Sequence, residues 1–126
     1  MSFLKKVKVL LYGDGMDQKY LQALLERAEP IIQTEKEYCY VKTQESFCCE
    51  LRCGHYDLVV VSAKEEAGKA GIQAARETVP ALPRIWISDS LDYLIEAHRL
   101  ETWLLTTPIE EPILWTVLAR LLIVAR

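Results

Sequence analysis

The sequence predicts an α/β fold, a flavodoxin-like (βα)5 doubly wound parallel sheet, and three observations predict it. Short apolar runs alternate five times with segments of helical period. The runs "VKVLLY" and "LVVV" are apolar on both pleat faces, as parallel strands covered on both sides require. Between runs and helices stand capping residues, glycines and prolines that stop one element and start the next. Right-handed crossovers then put helices on both faces of the sheet. The expected strand order is 2-1-3-4-5.

The elements follow in order. "VKVLLYG" from Val7 to Gly13 is the first strand. Asp14 caps the next helix, because a short acidic side chain accepts free N–H groups at a helix start. Tyr20, Leu21, Leu24, Leu25 and Ala28 recur with helical spacing until Pro30. "YCYVKT" from Tyr38 to Thr43 is a second, weaker strand. Thr43 then caps "QESFCCELRC", with Gly54 beyond its end and Phe47, Cys48 and Leu51 facing the sheet. "DLVVVSA" is the third strand, and "KEEAGKAGIQAARETV" the helix after it. "PRIWISD" from Pro83 to Asp89 is the fourth strand, and Ser90 caps "LDYLIEAHRL". "ETWLLTTP" from Glu101 to Pro108 is the fifth. The closing segment "EEPILWTVLARLLIVAR" reads as helix to the end, with Glu110 and Glu111 at its positive pole and Pro112 in its first turn.

A chain of 126 residues suits a single domain, 1–126, and 51% apolar content supports a sizeable core. The net charge is −3 and no basic block exceeds the Lys5–Lys6 pair, so direct nucleic-acid binding is not expected. The start carries no cleavable-leader pattern, and the most apolar run is broken by Arg120 and shorter than a span of ~20 residues. A cytoplasmic protein without a membrane partner is expected. Its four cysteines, Cys39, Cys48, Cys49 and Cys53, are expected to be reduced thiols.

These residues resemble the receiver domain of bacterial response regulators, from Val7 to about Ile123. The resemblance rests on the element spacing, on "HYDLVVVS" before a loop and helix, on "PRIWISD", and on "TWLLTTPI" before a final helix. Active receivers carry an acidic pair after the first strand; the matching positions are Gly13 and Asp14, so one acid survives as a weak candidate metal ligand. The phospho-accepting Asp lies five residues after the Asp opening the third strand, and counting from Asp57 gives Ser62. The switch hydroxyl matches Ser88, followed by Asp89, and the family's Lys before Pro matches Thr107. The Met-Pro pair usual after the third strand is replaced by "AKEEAGKAG". The resemblance thus implies a degenerate phosphorylation pocket at Asp14, Ser62, Ser88 and Thr107, and a pseudo-receiver acting through protein contacts in signal transduction or transcription regulation.

Other chemistries find less support. "YGDGMD" departs from the G-x-G-x-x-G phosphate loop and adds the anions Asp14 and Asp17. Cys49, Cys53 and His55 lack the second ligand pair that a zinc site needs. Neither Ser62 nor Ser88 sits in a G-x-S-x-G elbow or a recognisable triad. No catalytic residue, resident metal or cofactor is therefore expected, and the chain is read as a non-enzyme. Asp14, Ser62, Ser88 and Asp89 are expected to line one polar cleft.

Along the closing helix only Thr116 and Arg120 are polar between Pro112 and Ala125. Ile113, Leu114, Val117, Leu121 and Val124 are expected to be partly exposed, as an interface would be. The resemblance makes a homodimer through the fourth helix, fifth strand and fifth helix the leading expectation, with another protein partner or an output domain as further occupants. Two alternatives stay open: a flavodoxin-like small-ligand- or nucleotide-binding domain or enzyme using the strand-tip cleft, and a fragment of a DNA-binding regulator.

Overall fold

Five strands form one parallel sheet: β1 Lys6–Tyr12, β2 Glu35–Val41, β3 Leu58–Val61, β4 Arg84–Ser88 and β5 Trp103–Thr106. Their spatial order is β2-β1-β3-β4-β5, the predicted 2-1-3-4-5. The computed structural model describes residues 2–3, 6–13, 15–28 and 34–124. The helices are α1 Gly15–Glu26, α2 Gln44–Cys53, α3 Glu65–Thr78, α4 Leu94–Arg99 and α5 Glu111–Leu122, with a 3-10 turn at Leu91–Tyr93 leading into α4.

The period-2 alternation of the strands builds two cores. Val7, Val9 and Leu11 of β1 point to one face, where Leu21, Leu24 and Leu25 of α1 meet Leu114, Leu118 and Leu122 of α5. Leu10 and Tyr12 point to the other face, against Phe47 and Leu51 of α2 and Ile72 and Ala75 of α3. Tyr12 stacks on Phe47 with ring centroids 4.6 Å apart. On that second face Trp86 is buried beside Tyr93. A Cβ added to Gly68 of α3 would lie 2.9 Å from its Nε1, so glycine lets the helix approach the ring.

The caps act as their sequence suggests. Thr43 Oγ1 accepts the Ser46 N–H at 3.1 Å, the Gly54 N–H donates to Glu50 O, and Ser90 Oγ accepts the Asp92 N–H at 3.0 Å. Asp14, predicted to cap α1, lies outside the described residues.

Two elements depart from expectation. β2 starts at Glu35, ahead of the apolar run, because "EKE" sits on an edge strand whose charges find partners. Lys6 Nζ meets Glu37 Oε2 at 3.1 Å, and Lys36 Nζ meets Glu26 Oε2 at 3.2 Å. Glu26 also accepts the Tyr38 hydroxyl at 2.9 Å. The closing helix stops at Leu122, and Ile123–Val124 instead pairs antiparallel with Ser2–Phe3, as β-branched residues favour.

At the N-terminal edge of the sheet, Arg84 is 6% exposed. Its Nε donates to Thr102 Oγ1 at 3.1 Å. One terminal nitrogen donates to the carbonyls of Pro80 and Leu82 at 3.0 and 3.1 Å, and the other to those of Leu100 and Glu101 at 3.0 and 3.3 Å. These acceptors follow the C-terminal ends of α3 and α4, where helix dipoles favour a cation. Burial, then the charge of Arg76, lowers the Arg84 pKa, and Glu101 opposes them.

Candidate functional site: the strand-tip cleft

Parallel strands ending at different heights leave a crevice at their C-terminal tips, where ligands bind in open α/β sheets. Here it has a volume of about 230 Å³. Its walls include Ser62 after β3, Ser88 ending β4, Thr107 after β5, and Asp89. The chain thus brings together three of the predicted pocket residues, and Asp89 with them. The fourth, Asp14, lies outside the described residues.

The two serine hydroxyls have local work, and Thr107 is tied in through its backbone. Ser62 is 7% exposed; its N–H donates to Tyr12 O at 2.7 Å and its hydroxyl to the same carbonyl at 3.3 Å. Gly13 lies directly beside it: a Cβ there would fall 2.2 Å from Ser62 Oγ. The Ser62 hydroxyl therefore fills the space that a side chain at position 13 would enter. Ser88 Oγ accepts the Ser90 N–H at 3.1 Å, and the Thr107 N–H donates to Ser88 O at 2.9 Å. The Thr107–Pro108 peptide is cis.

Sequence reasoning missed four residues here. Gln18 is 4% exposed, and its amide donates to Leu11 O at 3.3 Å and Val41 O at 2.8 Å, tying α1 to the tips of β1 and β2. Its signal was available: it precedes Leu21, Leu25 and Ala28 on the apolar stripe of α1, and a polar residue there needs a buried partner. Tyr20, Lys64 and Glu65 also line the cleft, over a floor that includes Leu21 and Ile87. Glu65 opens α3 with φ 51°, a left-handed conformation that costs a side-chain-bearing residue about 1–2 kcal/mol. Nothing in the local sequence marked Glu65 for it.

Chemically, the cleft offers hydroxyls, one lysine and two carboxylates. Among the described residues, no group of three or more His, Cys, Asp or Glu is placed to hold a metal ion.

Solved structures match this architecture closely. The receiver domain of the Francisella response regulator 1452 superposes with a TM-score of 0.68 at 21% identity, covering 91% of this chain and 95% of its own. The receiver domain of an HD-domain-containing protein from Pseudomonas fluorescens gives 0.73 at 19%, covering 91% and 93%. The fold is that of a response-regulator receiver domain. A Burkholderia pseudomallei protein described as pilus assembly-related shares it, with a TM-score of 0.74 at 18% identity over 96% of this chain and 92% of its own. No protein-family model matches the chain, and no curated protein matches it either.

The second candidate surface of this receiver fold lies along α4, β5 and α5. Leu91, Leu94 and Ile95 are 62%, 53% and 70% exposed, Trp103 on the free edge of the sheet is 42% exposed, and Ile113 on α5 is 49% exposed. α4 and the turn before it pack beside β5. A hollow of about 160 Å³ separates β5 from α5, lined in part by Leu104, Ile109 and Ile113.

Of the residues predicted for this surface, Ile113 is exposed and Leu121 partly so, whereas Leu114 and Val117 need correction. Leu114 and Val117 are buried, because with Leu118 and Leu122 they form the helical stripe that packs on the sheet. Leu121 is half-buried against that core. Ile113, with Thr116 and Arg120, forms the outward stripe. The side chain of Val124 lies outside the described residues. The further exposed apolar groups come from α4, the turn before it and β5, elements expected on this face but for which no residue was named. No described helix is long and apolar enough to cross a membrane.

Proposed function

We propose that this receiver-type domain acts in signalling or transcription regulation without being phosphorylated, through protein contacts on the α4–β5–α5 face, including a twofold homodimer. The observation that carries the reading is the exposure of Leu91, Leu94, Ile95, Trp103 and Ile113 on the neighbouring elements α4, β5 and α5. A contiguous exposed apolar surface is characteristic of interfaces. The cleft supports the same reading. Ser62 cannot form an acyl phosphate, its hydroxyl is held by Tyr12 O, and Thr107 brings no ammonium group.

Two measurements test it. Intact mass after incubation with acetyl phosphate and Mg²⁺ is expected to find no phosphoryl adduct; a stoichiometric adduct overturns the phosphorylation-independent reading. Sedimentation is expected to find a dimer that Ile95→Glu converts to monomer, because a buried charge without a partner opposes association. A wild-type monomer at all concentrations overturns the homodimer and leaves the face to a different protein.

The apolar floor at Leu21 and Ile87 favours one alternative, a small organic ligand in the strand-tip cleft. Ligand-dependent thermal stabilisation that Ile87→Arg abolishes would support it.

A further inference from the structure

The outward stripe of α2 carries two thiols that neither cleft nor partner face uses. Cys49 and Cys53 are exposed and lie four apart, Cys53 being the final residue of the helix. Phe47 and Leu51 of the same helix are buried, so the helix is anchored on its opposite side. Cys39 and Cys48 are half-buried. Cys53, one turn further along the same face, raises the Cys49 pKa more than any other neighbour does. Glu50 raises it further, and Arg52 opposes that.

Geometry selects the chemistry this pair can perform. Residues four apart on a helix hold their Cβ atoms about 5–6 Å apart. A disulfide requires about 3.5–4.5 Å and would have to unwind the last turn. A two-coordinate ion between two sulfurs spans about twice a metal–sulfur bond of ~2.3 Å, which an intact turn accommodates. Zinc would need four ligands, and no third donor stands near among the described residues. Soft thiolates with low coordination number select copper(I).

We propose that Cys49 and Cys53 form a two-coordinate bis-thiolate site for a soft monovalent cation, with copper(I) the fitting ion. Each S–H proton passes to solvent as a sulfur–copper bond forms, and copper keeps its oxidation state. The exposed Arg52 guanidinium stands beside the resulting net negative charge.

The test uses the full chain, reduced and anaerobic, titrated into copper(I) bicinchoninate. One equivalent is expected to be withdrawn from the coloured complex. Cys49→Ser and Cys53→Ser should each weaken binding by about 10²–10⁴-fold, the gain that linking two ligands confers. Cys39→Ser, Cys48→Ser and His55→Ala should leave it unchanged, and circular dichroism should report the same helix content throughout. X-ray absorption should find two sulfur neighbours. Failure of the wild type to compete, retention of binding in either Cys49→Ser or Cys53→Ser, or loss in His55→Ala overturns the proposal.

Discussion

The two edges of the central sheet are made by the same parallel strands and are closed in different ways. At the N-terminal edge, the five hydrogen bonds of Arg84 are accepted by four backbone carbonyls and the Thr102 hydroxyl. The charge is consumed in joining the α3–β4 and α4–β5 connections. At the C-terminal edge, Gly13 and Ser62 press together, while Lys64, Asp89 and Thr107 remain around a cavity. A polar group spent on backbone carbonyls serves stability; one left facing a cavity is available to a ligand. Burial of a charge alone does not separate these roles, whereas its partner atoms do.

The comparison can be broken at either edge. The largest effect is expected from Arg84→Met. It leaves several carbonyls without their donor and should cost about 3–5 kcal/mol, the range for dismantling a buried charged network. Urea unfolding should report a lower midpoint with an unchanged slope. A loss below about 1 kcal/mol would mean that water replaces the guanidinium and that both edges are equally open.

A smaller effect is expected at the opposite edge. Gly13→Ala drives a methyl group into Ser62 Oγ and should cost about 1–3 kcal/mol as an overpacked site. Ser62→Ala alone should cost about 0.5–1.5 kcal/mol, one hydrogen bond. Combining them removes the clash, so the double variant should be less destabilised than the sum of the singles. Additive costs would place the strain elsewhere.

The smallest effect lies midway between the two strand ends, on the edge strand β2. Burial, then the hydrogen bond to Glu26, raises the Tyr38 pKa above its usual value. The folded chain holds this proton more tightly than the unfolded chain does. The stabilisation is therefore complete below the ordinary tyrosine pKa of about 10 and declines as pH rises beyond it. Thermal midpoints across that alkaline range should fall less steeply for Tyr38→Phe than for wild type. Parallel curves would leave the alkaline loss to Tyr56, whose pKa is raised by burial and then by Cys39 and Glu50.

The sheet was legible because periodicity records burial directly. The apolar runs at 7–12 and 58–61 place two central strands, and Thr43 and Ser90 accept the predicted capping bonds. β2 was misplaced because charged edge residues carry no apolar signal until their partners across space are known. The closing helix was overextended because its last turn and a short strand have the same apolar composition. In the cleft, counting along the chain reached Ser62, Ser88 and Thr107. It could not reveal that Ser62 turns onto Tyr12 O or that Glu65 is left-handed, since both depend on the approach of neighbouring elements. On the partner face the reading mixed two stripes of the closing helix: Ile113 faces outward, but Leu114 and Val117 are apolar because they are core.

The placement of two tryptophans gives the molecule optical properties of its own. Trp86 is 1% exposed beneath α3, so its emission belongs to a dry interior and lies beyond the reach of aqueous quenchers. Trp103 is 42% exposed on the free strand edge, where water relaxes its excited state and shifts its light to the red. Half-buried Trp115 on α5 adds a third emission, and a partner that covers β5 would diminish the red, quenchable component while leaving that of Trp86 in place. The protein thus carries an intrinsic lamp on its proposed contact surface and an internal reference lamp under its third helix.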